Sequence, residues 1–294
     1  MPSGPSPGSR GNPCGPAGVP ACGVVVRPVT VPTVVGELEV ACEAARAAGA
    51  LLRASFGAAH AFQHKGPANP VTELDRKAEA LLRSILLDAF PGYGFFGEEG
   101  GGQCAPGERC WIVDPLDGTT NYAHGYPVYG VSIALERDGQ IVLGAVYDPT
   151  LDELFAATAG RGATLNGQPI AVSEVAELRQ SLVASGFPYD AWENNADNGR
   201  QWHALLKRAF SMRADGSAAL DLCHVALGRL DAYWELDLDP WDMAAGALIV
   251  REAGGRVTHV DGSPFGIYGR SVAASNGLLH IEFLEALDGG RDAR

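Results

Sequence analysis

Residues 111–122 read Trp-Ile-Val-Asp-Pro-Leu-Asp-Gly-Thr-Thr-Asn-Tyr and carry two carboxylates and two hydroxyls in one short stretch. The apolar residues before Asp114 predict a strand, whose ladder is expected to stop at Pro115 because proline has no N–H to donate. Asp117 follows on the predicted loop, beside a glycine that can adopt backbone angles other residues avoid. Such an oxygen-rich cluster suits Mg²⁺, which prefers carboxylate, carbonyl and water oxygens. The alternative is a turn whose Asp side chains bond their own backbone.

Three more acidic positions have spacings that suggest a shared site. Glu98 and Glu99 follow a predicted strand and lie between glycines, although a solvated acidic turn has the same pattern. Asp242 begins a helix of small apolar residues, where a charge is costly, although N-capping explains an acid there equally well. Asp75 lies three residues after Thr72, which is the spacing of a capping box. Each position alone has a structural explanation, but together they predict a carboxylate site.

The motifs Gly-Glu-Glu, Trp-Ile-Val-Asp-Pro-Leu-Asp-Gly-Thr-Thr-Asn and Pro-Trp-Asp-Met-Ala-Ala-Gly resemble, in this order, the inositol monophosphatase family of Mg²⁺-dependent, lithium-sensitive phosphatases. The similarity runs from about residue 37 to about residue 288. Residues 221–228 with Trp234-Glu235 resemble the plant and algal plastid branch of that family. The resemblance implies an α/β layered fold, an α/β/α/β/α sandwich of the inositol monophosphatase and fructose bisphosphatase type. It also implies a homodimer with two or three Mg²⁺ ions per subunit.

The same resemblance implies residue roles. The implied metal ligands are Glu98, Asp114 (bridging two ions), the Leu116 carbonyl, Asp117 and Asp242. The implied catalytic residues are Glu98, Thr119, Asp75 and Asp114, with Thr119 orienting the attacking water. The implied substrate-binding residues are Asp117, Gly118, Thr119, Gly216, Ser217, Ala218, Glu235 and Asp242. Backbone N–H groups of Gly118 and Thr119 are implied to bind phosphate, and Lys65 resembles a loop lysine near the metals.

The chemistry explains why such a site contains carboxylates. Water attacks a phosphate monoester so slowly that an enzyme must supply about 20 kcal/mol or more. Two Mg²⁺ ions roughly 3.5–4 Å apart supply much of this by lowering the pKa of the attacking water and stabilising the leaving alkoxide. Because water attacks directly, no nucleophilic Ser, Cys or His is required. His224 is therefore expected to be a packed residue on a helix.

These residues need elements that position them. Apolar spacing predicts helices over 37–56, 73–90, 199–210, 217–228 and 242–253. Short apolar runs predict strands over 94–97, 111–114, 128–137, 141–147, 153–158, 230–236, 257–260 and 271–275. Asp138-Gly139 and Asn166-Gly167 predict tight turns between strands. Helices first, strands in the middle and an alternating second half predict stacked helix and sheet layers.

The two ends of the chain differ from the domain predicted over 37–288. Residues 1–36 are rich in Pro, Gly and Val, contain no acidic residue, and carry only Arg10 and Arg27 as charged side chains. Such a segment buries too little apolar surface to order itself, so we expect disorder. Its composition is typical of an organelle transit peptide, which predicts a chloroplast location, or of a nonspecific tail on a cytoplasmic protein. Residues 289–294 are expected to be a short tail.

Composition excludes several classes of protein. A net charge of −13 argues against nucleic acid as a partner, because such binding depends on Lys and Arg at phosphates. No stretch approaches the roughly 20 apolar residues that span a bilayer, so no membrane partner is expected. The six cysteines contain no Cys-x-x-Cys pair, which argues against structural zinc and predicts reduced thiols. Pairing of Cys104 with Cys110 across their short loop is the alternative.

We therefore expect an Mg²⁺-dependent hydrolase of a small phosphate ester, namely myo-inositol 1-phosphate, with galactose 1-phosphate as a second candidate substrate. Glu235 and the absence of basic insertions favour a small polyol phosphate over a nucleotide or a bisphosphate. Histidinol phosphate and 3′-phosphoadenosine nucleotides are the alternative substrates. A non-catalytic regulatory binding protein is the alternative of another class, and the complete carboxylate set argues against it.

Overall fold

The computed structural model of the protein describes Gly4 and residues 34–57, 62–64, 70–105, 107–188, 191, 193 and 197–289. The first described helix begins at Val34, so the last residues of the predicted N-terminal segment are already helical. The rest of that segment apart from Gly4, the tail beyond Gly289, and Lys65 lie outside the described residues. The transit peptide and the disordered tails remain predictions.

The described part of the chain contains seven α-helices, one short 3₁₀ helix (Leu178–Gln180) and fourteen strands. The helices are α1 (Val34–Ser55), α2 (Glu73–Ala89), α3 (Thr119–Ala123), α4 (Gly199–Leu206), α5 (Ala218–Ala226), α6 (Pro240–Glu252) and α7 (His280–Asp288). The strands are β1 (Phe62–His64), β2 (Pro70–Thr72), β3 (Gly94–Gly97), β4 (Arg109–Asp117), β5 (Gly130–Arg137), β6 (Gln140–Asp148), β7 (Glu153–Thr158), β8 (Ala163–Leu165), β9 (Gln168–Pro169), β10 (Leu182–Ser185), β11 (Ser211–Arg213), β12 (Ala232–Leu236), β13 (Arg256–Thr258) and β14 (Ser271–Ser275).

Two large sheets and three helix layers alternate, which confirms the predicted α/β/α/β/α sandwich, and β1 and β2 form a separate two-stranded sheet. The larger sheet has the order β3-β4-β5-β6-β7-β8-β9 and the smaller one the order β11-β10-β12-β14-β13. Helices α1 and α2 pack on the outer face of the larger sheet, and α5 and α6 lie between the sheets. Helices α4 and α7 cover the outer face of the smaller sheet.

Helix α6 is apolar on nearly all sides because it lies between two sheets. Its residues from Met243 to Val250 are all buried. Small residues allow the close approach: a Cβ added at Gly144 on β6 would lie 2.9 Å from the Ala245 backbone. The start of α6 is thereby placed against the larger sheet, where the motif around Asp114 lies.

Most predicted elements are present, with shifts at their ends. The turn at Asp138-Gly139 is confirmed, since both residues have positive φ. The predicted strand end at Asp114 is wrong, because β4 continues to Asp117. The regular ladder is nevertheless interrupted at Pro115, since the pairing with β5 is irregular between Asp114 and Asp117. Helix α7, the short helix α3 and six strands had no predicted counterpart. These six strands are β1, β2, β8, β9, β10 and β11.

The expectation of reduced thiols is wrong for one pair of cysteines. Cys104 and Cys110 form a disulfide with their Cα atoms 5.4 Å apart, so the alternative pairing is the correct one. The bond closes the loop between β3 and β4. Cys42 and Cys223 are free thiols in the described part of the chain.

A buried histidine makes the stability of the fold depend on pH. His280 is 0% exposed, and its ring nitrogens contact the hydroxyls of Thr258 and Ser275 at 3.1 and 2.8 Å. Burial, with a smaller effect of the Arg256 charge, lowers the pKa of His280 to about 4. The unfolded chain takes up the proton near pH 6.5, so between these values it binds more protons than the folded protein. The contribution of His280 to the free energy of unfolding is therefore fully present above about pH 6.5 and is lost as the pH decreases towards 4.

We expect the free energy of unfolding to fall by about 2 kcal/mol between pH 7.5 and pH 5 through this residue alone. Urea unfolding of the wild type and of His280→Gln at both pH values measures it. The variant should lose less stability over this interval, whereas the exposed control His203→Gln should behave as the wild type does. Equal losses in the wild type and in His280→Gln would contradict the assignment.

Candidate active site

An irregularity in β4 brings Asp114 and Asp117 to the same side of the larger sheet. Asp114 pairs with Ser132 and Asp117 with Gly130, so three steps along β4 oppose two along β5. Side chains of a regular strand alternate between faces, so positions three apart would point in opposite directions. The extra residue, a β-bulge, cancels one alternation. Both carboxylates consequently reach one cleft.

The cleft lies at the carboxyl end of β3 and β4 and has a volume of about 760 Å³. It contains most of the residues that the motifs predicted. Those lining it are Glu98, Asp114, Leu116, Asp117, Gly118, Thr119, Gly216, Ala218, Glu235 and Asp242. Asp75 and Ser217 are buried but do not line it. A direct contact of Asp75 with the attacking water therefore stays a prediction.

Helix α6 presents Asp242 to the cleft from its first turn. Asp239 is the N-cap and Pro240 the first helical residue, and Asp242 Oδ2 accepts a hydrogen bond from the Asp239 N–H at 2.7 Å. This is a capping box with an acid in the third helical position. Asp242 thus belongs to the capping structure of α6 and also lines the cleft. The structural role in capping and the predicted role in the carboxylate site are therefore compatible.

Asp117 is held by the start of α5. Its Oδ2 accepts hydrogen bonds from the Ser217 hydroxyl at 2.6 Å and from the Ala219 N–H at 2.8 Å. Ser217 is also the N-cap of α5 and accepts a bond from the Leu220 N–H. The geometry places the Ser217 side chain against Asp117, whereas the resemblance implied a contact with substrate.

The first residues of α3 shape the floor of the cleft. Gly118 has φ +89°, and a Cβ there would lie 2.8 Å from the Val128 carbonyl oxygen. Thr119 Oγ1 donates to the Leu116 carbonyl at 2.9 Å. Asn121 Nδ2 donates to the Val128 and Asp215 carbonyls, both at 2.8 Å. The Thr-Thr-Asn part of the motif therefore connects this turn to the loop before α5.

Burial and mutual repulsion disfavour the charged forms of the cleft carboxyls. Burial, then the charges of Glu98, Asp117 and Asp242, raise the pKa of Asp114 well above its usual range. Burial, then Asp117, does the same to the pKa of Asp242. Burial raises the pKa of Asp117 to about 6, and the bonds from Ser217 and Ala219 limit the rise. A cation bound among these groups would relieve this repulsion.

The donor set fits Mg²⁺ better than a softer metal. The expected ligands are four carboxylates and one carbonyl, all hard oxygen donors, with no thiolate or imidazole in the cleft lining. As the side chains stand, no three Asp, Glu, His or Cys residues in the described ranges are grouped closely enough to hold an ion. Asp114, Asp117 and Asp242 each commit one oxygen to a hydrogen bond, and each carboxylate has a second oxygen to offer.

Glu235 also lines the cleft. The Tyr233 hydroxyl donates a hydrogen bond to its carboxylate. Burial, with a smaller contribution from Asp117, raises the pKa of Glu235 to about 8 despite that bond. A Cβ at Gly186 would lie 2.2 Å from a Glu235 oxygen, so a larger residue there would displace this carboxylate. Glu235 is suited to exchange hydrogen bonds with a hydroxyl group.

Three residues that line the cleft had no role in the sequence analysis, namely Asp237, Asp239 and Arg270. The Arg270 guanidinium forms ion pairs with Asp237 at 2.6 Å and with Asp239 at 2.9 Å. Asp237 and Arg270 both have positive φ, which marks this turn as conformationally constrained. No local pattern joins residues this far apart in sequence.

His224 lies on α5 away from the cleft lining, and burial lowers its pKa.

Comparisons with known proteins agree with this geometry. The sequence model described as "Inositol monophosphatase family" matches residues 36–289. An inositol-1-monophosphatase of Synechocystis is 46% identical over 253 residues, which cover 85% of this chain and 88% of that protein. The chloroplastic phosphatase IMPL1 of Arabidopsis thaliana is 39% identical, over 85% of this chain and 69% of that protein.

The fold comparison gives the same answer. The structure of an inositol monophosphatase from Anabaena superposes with a TM-score of 0.80 at 40% identity, covering 88% of this chain and 97% of that one. A Thermotoga maritima structure gives a TM-score of 0.81 at 34% identity, over 87% and 98% of the two chains. With the carboxylate cleft, these similarities lead to one conclusion: the chain belongs to the inositol monophosphatase family and is a phosphoric monoester hydrolase.

Proposed function

We propose that the protein hydrolyses the monophosphate of a small neutral polyol, with myo-inositol 1-phosphate as the first candidate and Mg²⁺ as the metal. The observation that carries the proposal is the charge of the cleft. Its lining contains seven carboxylates and one guanidinium, namely Glu98, Asp114, Asp117, Glu235, Asp237, Asp239, Asp242 and Arg270. A phosphate enters such a cleft only with cations that reverse the local charge.

The same charge distribution disfavours a substrate with a second phosphate. Arg270 is the one cation lining the cleft in the described part of the chain, and it is already paired with Asp237 and Asp239. A bisphosphate or a phosphorylated nucleotide would place its second anion among unneutralised carboxylates. Glu235, with its raised pKa, instead offers a hydrogen bond to a neutral hydroxyl. Galactose 1-phosphate meets the same criteria and is proposed as a second substrate.

Each residue then has a task in a direct attack by water. Glu98, Asp114, Asp117, Asp242 and the Leu116 carbonyl would hold Mg²⁺. When bound, Mg²⁺ lowers the pKa of the attacking water and stabilises the leaving oxygen. Thr119 and Glu98 orient that water, and Glu235 holds a hydroxyl of the polyol. The N–H groups of Gly118 and Thr119 bind phosphate, and Ser217 keeps the Asp117 carboxylate in place.

Structures of relatives support the choice of substrate. A Staphylococcus aureus relative, 30% identical with a TM-score of 0.72, has a crystal structure with inositol monophosphate bound. A second structure of this Staphylococcus aureus phosphatase, 29% identical to this chain, has 2′AMP bound. Inositol phosphate is therefore the first substrate to test, and a nucleotide monophosphate belongs among the comparison substrates.

The test is phosphate release from myo-inositol 1-phosphate with Mg²⁺, with EDTA and with Li⁺ added. We expect turnover that requires Mg²⁺ and that Li⁺ inhibits. Fructose 1,6-bisphosphate, 3′-phosphoadenosine 5′-phosphate, 2′AMP and histidinol phosphate should be hydrolysed at least about tenfold less efficiently, which corresponds to about 1.4 kcal/mol of discrimination. A clear preference for one of these esters would overturn the proposed substrate class, and turnover in EDTA would overturn the metal dependence.

We also infer a homodimer in the chloroplast. The chloroplastic relative and the acid-free N-terminal segment support the location. No described helix combines the length and the apolar character needed to cross a membrane. Light scattering of the purified protein tests the dimer. Import of the full chain into isolated chloroplasts, with cleavage of its N-terminal segment, tests the location.

A further inference from the structure

The turn that carries Glu98 is held by the carboxylate of Glu79, a buried residue on α2. Glu79 Oε2 accepts a hydrogen bond from the Glu99 N–H and Glu79 Oε1 accepts one from the Gly100 N–H, each 2.8 Å long. Both oxygens of this side chain therefore bind the backbone of one turn. Glu79 does not line the cleft, so its influence on the cleft passes through that turn.

Two glycines make room for this carboxylate. A Cβ at Gly97 would lie 2.4 Å from Glu79 Oε2, and one at Gly100 would lie 2.5 Å from Glu79 Oε1. Neither glycine has a positive φ, so space and not backbone conformation requires a glycine at these positions. The Gly-Glu-Glu-Gly pattern is thus a binding place for a carboxylate from α2.

The contacts fix both peptide units that flank the Cα atom of Glu98. The Glu98 N–H donates to the Val113 carbonyl on β4 at 3.2 Å, and the next N–H, that of Glu99, donates to Glu79. The backbone of Glu98 cannot rotate without breaking one of these bonds. Its Cα–Cβ direction is therefore set relative to the strand residue that precedes Asp114.

The Glu79 carboxylate is itself held in place. Arg83, one helical turn further along α2, approaches Glu79 Oε1 at 3.7 Å. The Arg83 guanidinium lies 4.1 Å from the ring centroid of Phe95, a residue of the strand that leads into the turn. Helix α2, strand β3 and the turn thus form one connected unit.

We propose that Glu79 is a positioning residue that orients Glu98 for metal binding. Loss of the Glu79 carboxylate leaves Glu98 in the cleft but releases the peptide unit between Glu98 and Glu99. Residues that orient metal ligands typically change metal affinity by about 10–100-fold when substituted. The part of this inference that concerns metal rests on the proposed function, whereas the part that concerns the backbone does not.

Glu79→Gln is the first variant to test, because it keeps the size of the side chain but replaces one accepting oxygen by a donor. Glu252→Gln is the matched control. The Glu252 carboxylate accepts hydrogen bonds from the N–H groups of Gly160, Arg161 and Gly162 at 2.8, 3.0 and 2.8 Å. It holds a glycine turn in the same way, but at the end of α6 opposite to the cleft.

Two measurements distinguish positioning from a general loss of stability. Hydrogen–deuterium exchange in EDTA at residues 97–101 should accelerate at least about tenfold in Glu79→Gln and stay unchanged in Glu252→Gln. The Mg²⁺ concentration that half-saturates both the thermal shift and the activity should rise about 10–100-fold in Glu79→Gln only. The KM for substrate at saturating Mg²⁺ should stay within about threefold of the wild type, because the substrate contacts are intact.

Gly100→Ala provides a second route if Glu79→Gln does not fold. Its added Cβ displaces the Glu79 carboxylate without removing it, and we expect the same increase in exchange and in the Mg²⁺ requirement. Unchanged exchange at residues 97–101, or an Mg²⁺ requirement equal to that of Glu252→Gln, would overturn the inference. If the wild type shows no Mg²⁺ response, the proposed function fails, and the exchange result alone decides the role of Glu79.

Discussion

Asp114→Asn is expected to abolish turnover while the protein remains folded. Asp114 lies at the β-bulge, is 2% exposed, and shares the cleft with Glu98, Asp117 and Asp242. Asparagine keeps the shape and still accepts the Leu116 N–H bond that Asp114 Oδ1 makes at 2.9 Å. It removes a carboxylate charge that would hold Mg²⁺, so we expect kcat to fall at least about a thousandfold, which is about 4 kcal/mol.

The stability of this variant supports or contradicts the assignment independently of activity. Burial among like charges disfavours the Asp114 carboxylate in the metal-free protein. In EDTA the unfolding temperature of Asp114→Asn should therefore equal or exceed that of the wild type, and its increase on adding Mg²⁺ should disappear. Asp138→Asn, at the distant hairpin, should retain activity and the Mg²⁺ response. Normal turnover by Asp114→Asn at saturating Mg²⁺ would show that Asp114 has been assigned wrongly.

Gly118→Ala is expected to damage both the fold and the catalytic turn. The φ of +89° is unfavourable for alanine, and the added Cβ would lie 2.8 Å from the Val128 carbonyl and 3.2 Å from that of Gly216. Both contacts are backbone atoms, so neither can move by a change of rotamer. We expect the free energy of unfolding to fall by about 2–4 kcal/mol and kcat to fall at least about a hundredfold as the turn shifts.

Gly139→Ala separates the two causes. Gly139 has a similar φ of +74°, but a Cβ there meets nothing within 4 Å. This control should lose only the conformational part, about 1–2 kcal/mol, and should keep its kcat. Urea unfolding and steady-state kinetics of both variants measure the difference. Equal losses of stability with normal kcat in both would show that the clash at Gly118 does not matter.

The sequence predicted the chemistry of the site because that chemistry is carried by local motifs. Three short stretches contain the carboxylates of Glu98, Asp114, Asp117 and Asp242 beside glycines and a threonine. This composition is enough to indicate an oxygen-rich metal site. The apolar periodicity likewise predicted α1, α2 and α6 and the layered architecture, since the spacing of apolar residues reflects which faces are buried. The turns at Asp138 and Asn166 were predicted by residue types that tolerate positive φ.

Other features depend on contacts between distant parts of the chain. Pro115 was expected to end β4, yet the strand continues through a bulge because β5 supplies the pairing on both sides of it. Strands β8 to β11 are too short and irregular to show a period of their own. They exist because the neighbouring strands offer unpaired backbone groups, and every buried N–H and C=O needs a partner.

The motifs alone were sufficient to place Glu98, Asp114, Asp117 and Asp242 in one site and to suggest the family. Only the tertiary structure assigned two of the residues that hold them: Ser217 on Asp117 and Glu79 on the turn of Glu98. The Ser217 and Asp117 partners are 100 residues apart in sequence. Chemistry is determined by residue type, which is local, whereas orientation is determined by hydrogen bonds that form only when distant elements pack together.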